Sequence, residues 1–77
     1  MTQDQANSYS YKDGYKLGYN NTVLTGGKIN WKKVDRCWFV ISGKFFSNQR
    51  DEAKDFWLDG IYDGMHDRQD AINASGH

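Results

Sequence analysis

Apolar and polar positions alternate with a helical period in three parts of the chain. In the first, Tyr11, Tyr15 and Tyr19 recur every four residues and fall on one side of a helix. Ser8 or Ser10 is the cap candidate, and Asn20-Asn21 is a plausible stop. Gly14 and Gly18 interrupt this helix, each at a cost of about 1 kcal/mol against alanine. In the second, Trp31, Val34, Trp38 and Ile41 follow i, i+3, i+7 and i+10, which favours a helix. The run Cys37-Trp38-Phe39-Val40-Ile41 is equally compatible with a buried strand; helix is preferred because no strong partner strands are visible. Ser42-Gly43 ends the element in either case. The third is the longest. Ser47 or Asn48 would cap it, Asp51 and Glu52 would occupy its first turn, and the period continues to about Asn73.

Between the first two stretches, Thr22–Asn30 carries Gly26-Gly27, a pair suited to a two-residue turn with positive φ, so a short hairpin or loop is expected there. The predicted fold is mainly α: a glycine-rich first helix packed on a long amphipathic C-terminal helix, with a short hairpin or helix in the connection. The whole chain, 1–77, reads as one domain with 1–7 and 74–77 frayed.

The last helix sorts its residues by face. Ala53, Phe56, Trp57, Gly60, Ile61, Gly64, Met65 and Ile72 form one broad side. Asp51, Asp55, Asp59, Asp63 and Asp67 recur every four residues along the other, a carboxylate stripe. Such a stripe either is a solvated face or docks on a basic surface. The spacing Gly14-x-x-x-Gly18 is matched by Gly60-x-x-x-Gly64. Small residues four apart make a groove where another backbone approaches closely. The simplest use is a crossing of these two helices, with a groove open to a partner as the other.

Charge and composition then narrow the class. Ten basic and ten acidic residues sum to zero, but the sign is divided. Residues 1–46 carry seven basic and three acidic groups, and residues 47–77 carry three basic and seven acidic. Either the halves neutralise each other within the fold or each faces a partner. Leu, Ile, Val and Phe number only 14 of 77, so twelve aromatics are expected to supply most of the core. The segment 28–46 interleaves Lys28, Lys32, Lys33, Arg36 and Lys44 with Trp31, Trp38, Phe45 and Phe46. Rings and cations together suit RNA or single-stranded nucleic acid, whereas rings in a core beside solvated lysines would be purely structural.

Little points to catalysis. His66 lies beside Asp63, Asp67 and Asp70 on the polar face, and His77 is the last residue. Cys37 sits in an apolar run and reads as a buried thiol. No phosphate loop, dinucleotide fingerprint, zinc spacing or calcium loop is present. A single domain of this length is also too small for a deep cofactor cleft. The expectation is a non-enzymatic protein without cofactor, metal or small-molecule substrate. A polar amino terminus, no apolar run of membrane-spanning length and one cysteine suggest a cytoplasmic setting.

The order of motifs resembles the ribosome modulation factor family. Gly14-Tyr15-Lys16-Leu17-Gly18-Tyr19 is similar to its Gly-Tyr-x-x-Gly motif, with one extra residue between the glycines. Cys37-Trp38-Phe39 is a loose counterpart of its Cys-Pro-Tyr element. Trp57-Leu58-Asp59-Gly60-Ile61-Tyr62, Met65 and Asp67-Arg68 resemble its second helix. The resemblance implies a two-helix core that binds ribosomal RNA and drives ribosomes into inactive dimers, with Lys12, Tyr15, Lys16 and Arg68 as contacts. That family is basic, whereas this chain is neutral. Small neutral chains rich in aromatics also resemble phage inhibitors of host proteins, including anti-CRISPR and other anti-defence types. In that reading the protein occludes a host complex in the host cytoplasm. The candidate partner-binding residues are thus the Asp stripe, or Lys12, Tyr15, Lys16, Lys32, Lys33, Arg36 and Arg68. Gly14, Gly18, Gly60, Gly64, Phe56, Trp57, Ile61 and Met65 are expected to be structural. A homodimer would shield surplus aromatics.

Overall fold

The computed structural model describes residues 1–75. Helix α1 spans Gln3–Tyr19, strands β1 (Leu24–Thr25) and β2 (Lys28–Ile29) form a hairpin, and helix α2 spans Trp31–Ser42. A 3₁₀ turn at Ser47–Gln49 leads into helix α3, Arg50–Ser75. The mainly α architecture, the hairpin in the connection and the packing of the long last helix on the first are as the pattern predicts.

Helix α1 starts earlier than expected. Its cap is Thr2, not Ser8 or Ser10: the Thr2 hydroxyl accepts from the Gln5 N–H, and the Gln5 side chain accepts from the Thr2 N–H. This reciprocal arrangement satisfies two otherwise orphaned donors. In place of a frayed 1–7, the chain is helical from Gln3, and Ala6 is buried. Gln49 pins this end by donating to the Met1 carbonyl at 2.6 Å, while its own carbonyl accepts from Gln3. At the other end, α3 runs to Ser75; the remainder of the expected frayed tail, and with it His77, lies outside the described residues.

The two principal helices run parallel. The Tyr11 hydroxyl donates to Asp63 and the Tyr15 hydroxyl to Asp67, both across 52 residues. A constant difference in number means that both helices advance in the same direction. Parallel neighbours cannot be joined by a tight turn, so the connection must travel back along the pair. Helix α2 does this, covering about 18 Å of the return. Its last turn reaches α3 through Arg50, whose Nε donates to the Ser42 carbonyl at 3.0 Å. The hairpin that reverses the chain pairs Leu24 with Ile29 and Thr25 with Lys28. Its turn places Gly26 at φ 62° and Gly27 at φ 80°, the conformation that a two-residue turn of this hand requires.

At four glycines α1 and α3 meet backbone to backbone. A Cβ at Gly14 would stand 2.0 Å from the Trp57 carbonyl oxygen, and one at Gly18 would stand 2.1 Å from that of Ile61. Reciprocally, Gly60 and Gly64 face the carbonyl oxygens of Tyr11 and Tyr15 at 2.2 Å by the same measure. The four glycines therefore interlock, and the crossing inferred from their spacing is formed inside the chain.

The molecule is a flat body, 46 × 24 × 13 Å along its principal axes. A body this thin has little interior. Its buried apolar side chains are Ala6, Val23, Val34, Ile41, Phe45, Ala53, Trp57 and Ile61. The expectation of a core supplied mostly by aromatics is corrected here: only Trp57 and Phe45 among the rings are buried, with Trp38 packed against both at centroid distances of 5.2 and 6.1 Å. Six rings (Tyr9, Trp31, Phe39, Phe46, Phe56 and Tyr62) remain exposed. Phe56 and Ile72, assigned to the buried side of α3, are 42% and 48% exposed.

Candidate interaction surfaces

Three surfaces emerge from this packing. The first is the seam between α1 and α3. A four-residue spacing advances about 40° round a helix at each step, so a row of such residues winds rather than running straight. The Asp row accordingly begins on the solvent side at Asp51 and Asp55 and turns into the seam at Asp63 and Asp67. There it meets the tyrosine row of α1. Tyr15 and Tyr19 stack at 6.1 Å, and Tyr11 lies 6.4 Å from Tyr15. The carboxylates hold the phenol protons: the hydrogen bond to Asp63 raises the Tyr11 pKa, and that to Asp67 pushes Tyr15 up to about 12. The continuous stripe is thus divided. All five aspartates are exposed, but Asp63 and Asp67 each accept a hydrogen bond from a tyrosine of α1, whereas the carboxylates of Asp51, Asp55 and Asp59 accept none among the described residues.

The same seam takes two of the four contacts that the ribosome modulation factor resemblance carried over. Tyr15 is bound to Asp67 at 2.5 Å. Arg68 donates to the Tyr19 carbonyl at 3.0 Å and lies 5.7 Å from the Tyr19 ring centroid, closing the C-terminal end of α1. Lys12 and Lys16 are exposed. On the adjoining flank a groove of about 620 Å³ is lined by Asp4, Tyr11, Lys12, Phe56, Asp59 and Asp63 among others.

The second surface is the outer side of α2. Val34 and Ile41 are buried, and Cys37 and Trp38 are half-buried against α1 and α3. The reading of Cys37 as a buried thiol is corrected accordingly: it lines a groove between α1 and α2 with Tyr9, Leu17 and Val40. The opposite side of α2 is not the polar face expected of an ordinary surface helix. Phe39 there is 80% exposed, with Lys32 exposed on the same side; Val40, at the rim of the groove with α1, is 71% exposed, and Lys33 and Arg36 are exposed as well. Trp31 and Phe46 are exposed near the two ends. These rings are outside the core that an aromatic-rich composition predicts.

The third is a small cluster on α3. Ligand atoms of His66, Asp67 and Asp70 lie within 4.8 Å of one another and are all exposed, so these are the residues that could hold a cation. His66 Nδ1 is 3.3 Å from Asp70, and Asp67 is already shared with Tyr15.

Charge is the property that separates these surfaces. Among the described residues no lysine or arginine is paired with a carboxylate; the one contact of this kind joins the His66 imidazole to Asp70. Lys44 instead donates to the Tyr9 hydroxyl at 2.7 Å, which raises its pKa. The two charged halves do not neutralise each other by ion pairs.

Some groups that shape the fold carried no visible signal. Asn7 is buried, accepts from Gln3 and donates to Glu52. Asp13 accepts from the buried Trp57 indole at 2.9 Å. The Thr2-x-x-Gln5 capping spacing was available in the sequence and could have located the start of α1.

No family model matches the chain, and no curated protein or solved structure matches it. No helix of the described residues is long and apolar enough to cross a membrane.

Proposed function

We propose that the protein acts by binding rather than by catalysis, modulating or inhibiting a macromolecular machine by occupying one of its surfaces. The RNA-facing reading, akin to a ribosome modulation factor, comes first. The observation that supports it is the set of exposed cations on α1 and α2, Lys12, Lys16, Lys32, Lys33 and Arg36, none of them paired with a carboxylate among the described residues. Cations on helices beside exposed rings match a phosphate backbone with unstacked bases. The test is co-sedimentation of the purified protein with bacterial small ribosomal subunits. Binding should be present at low salt, weaken as salt rises, and be lost with Lys12→Glu and Lys16→Glu together. Absence from the subunit fraction at low salt would refute this reading.

A second reading is supported by Asp51, Asp55 and Asp59, which stay exposed on α3. A row of carboxylates suits a basic protein surface, as expected of a phage inhibitor that blocks a host complex. Reversing Asp51, Asp55 and Asp59 to lysine would then abolish a stoichiometric complex and leave helicity unchanged.

A further inference from the structure

The outer face of α2 and the acidic flank of α3 are complementary to each other, although they belong to one chain. On α2, Lys32 and Arg36 stand four residues apart, with one exposed carboxylate, Asp35, between them, and lead to Phe39 and Val40. On α3, Asp55 and Asp59 also stand four apart, with half-exposed Phe56 between them. Four residues of helix rise about 6 Å, so the cation pair and the carboxylate pair have the same spacing. Asp59 lines a groove with Asp4, Tyr11, Lys12, Phe56 and Asp63, whose apolar floor and rim of three carboxylates and one lysine suit an exposed phenyl ring flanked by cations. Among the described residues none of these charges is neutralised by an ion pair.

We propose that this chain associates with itself, the α2 face of one copy docking on the acidic α1–α3 flank of the next. Three features select a second copy as the occupant. The complement of the α2 face, in sign and spacing, is present on the same molecule. The formal net charge is zero, so copies do not repel one another as a strongly charged protein would. A flat domain 13 Å thick with a few buried apolar side chains gains much from covering Phe39 and Val40. The contact joins two different patches, so it is head-to-tail, and association beyond a pair follows unless the rotation closes a ring.

Sedimentation velocity on the purified chain, over a concentration series into the millimolar range, tests this independently of any RNA or host partner. Association should be strongest at about 0.01 M ionic strength, where the Debye length is about 30 Å, and about tenfold or more weaker at about 1 M, where it is about 3 Å. Lys32→Glu with Arg36→Glu should give a monomer, as should Asp55→Lys with Asp59→Lys. Each variant keeps one wild-type patch and one reversed patch, so an equimolar mixture of the two should associate again. Phe39→Ser should weaken association while helicity by circular dichroism stays that of the wild type. A wild-type chain that remains monomeric at low salt, variants that associate as the wild type does, or a mixture that fails to associate would each overturn the proposal.

Discussion

Gly60 faces the backbone of Tyr11 so closely that a methyl group added to it would stand 2.2 Å from the Tyr11 carbonyl oxygen. The obstacle is backbone, which cannot rotate away as a side chain would, so the two helices must part. Gly60→Ala is therefore expected to destabilise the fold by roughly 1–3 kcal/mol, even though alanine gains about 1 kcal/mol in helix propensity. Gly14→Ala, 2.0 Å from the Trp57 carbonyl oxygen by the same measure, should behave alike. Gly43 is the control: its added Cβ would lie at an ordinary 3.6 Å from the nearest atom, and φ there is −63°. Thermal unfolding should rank Gly43→Ala close to wild type and the two seam variants well below it.

The buried Trp57 indole donates to Asp13 at 2.9 Å. Asp13→Ala leaves that donor without its acceptor, at an expected cost of about 1–3 kcal/mol. Trp57→Phe in the Asp13→Ala background removes the stranded N–H as well. A double-mutant cycle on the denaturant midpoint should then show coupling between the two positions; strictly additive effects would show that the bond contributes nothing.

Ser10 is buried, and its hydroxyl has no hydrogen-bond partner. Ser10→Ala removes the unsatisfied group from the small-residue side of α1 and improves helix propensity. The variant should be more stable by up to about 1 kcal/mol, a rise in Tm of about 4–8 °C for each kcal/mol in a domain of this size. An unchanged or lower Tm would mean that the hydroxyl is satisfied in solution.

Tyr15 should ionise late. Its pKa stands at about 12 in the folded chain against 10.0 ordinarily, chiefly because its hydroxyl donates to Asp67. A folded value raised above the unfolded one contributes stability that is complete below about pH 10 and is lost as pH rises toward about 12. Near-UV titration of phenolate should resolve a late-ionising tyrosine, and Asp67→Ala should return it to the ordinary range. Tyr11 should respond in the same direction to Asp63→Ala.

The elements were largely legible before any coordinates, because each rests on local chemistry. The period of Trp31, Val34, Trp38 and Ile41 favoured a helix over a strand, Gly26-Gly27 suited a hairpin or loop, and the paired Gly-x-x-x-Gly spacings offered a crossing or an open groove; the structure forms the helix, the hairpin and the crossing. The start of α1 lies upstream of Ser8 and Ser10 because the Thr2-x-x-Gln5 capping box closes the helix there, and both serines then fall in its interior. The candidate surfaces were less legible. Periodicity assigned the Asp row to one polar side, yet a four-residue step drifts round the helix until Asp63 and Asp67 meet Tyr11 and Tyr15.

By itself the amino-acid order determined the first and last helices and a basic half followed by an acidic one, and it favoured a second helix and a glycine crossing, since propensity, turn chemistry and spacing act between near neighbours. Only the tertiary structure decided that the helices of the seam run parallel, and with that most of the remainder. Parallel packing draws α2 back along the pair as a third member of a thin layer, and a thin layer has two outsides and little inside. Phe39, Val40 and the α2 cations are exposed for that reason, as are the carboxylates of Asp55 and Asp59. A sequence counts rings and charges, but which of them remain for a partner depends on how many faces the packed layer can cover.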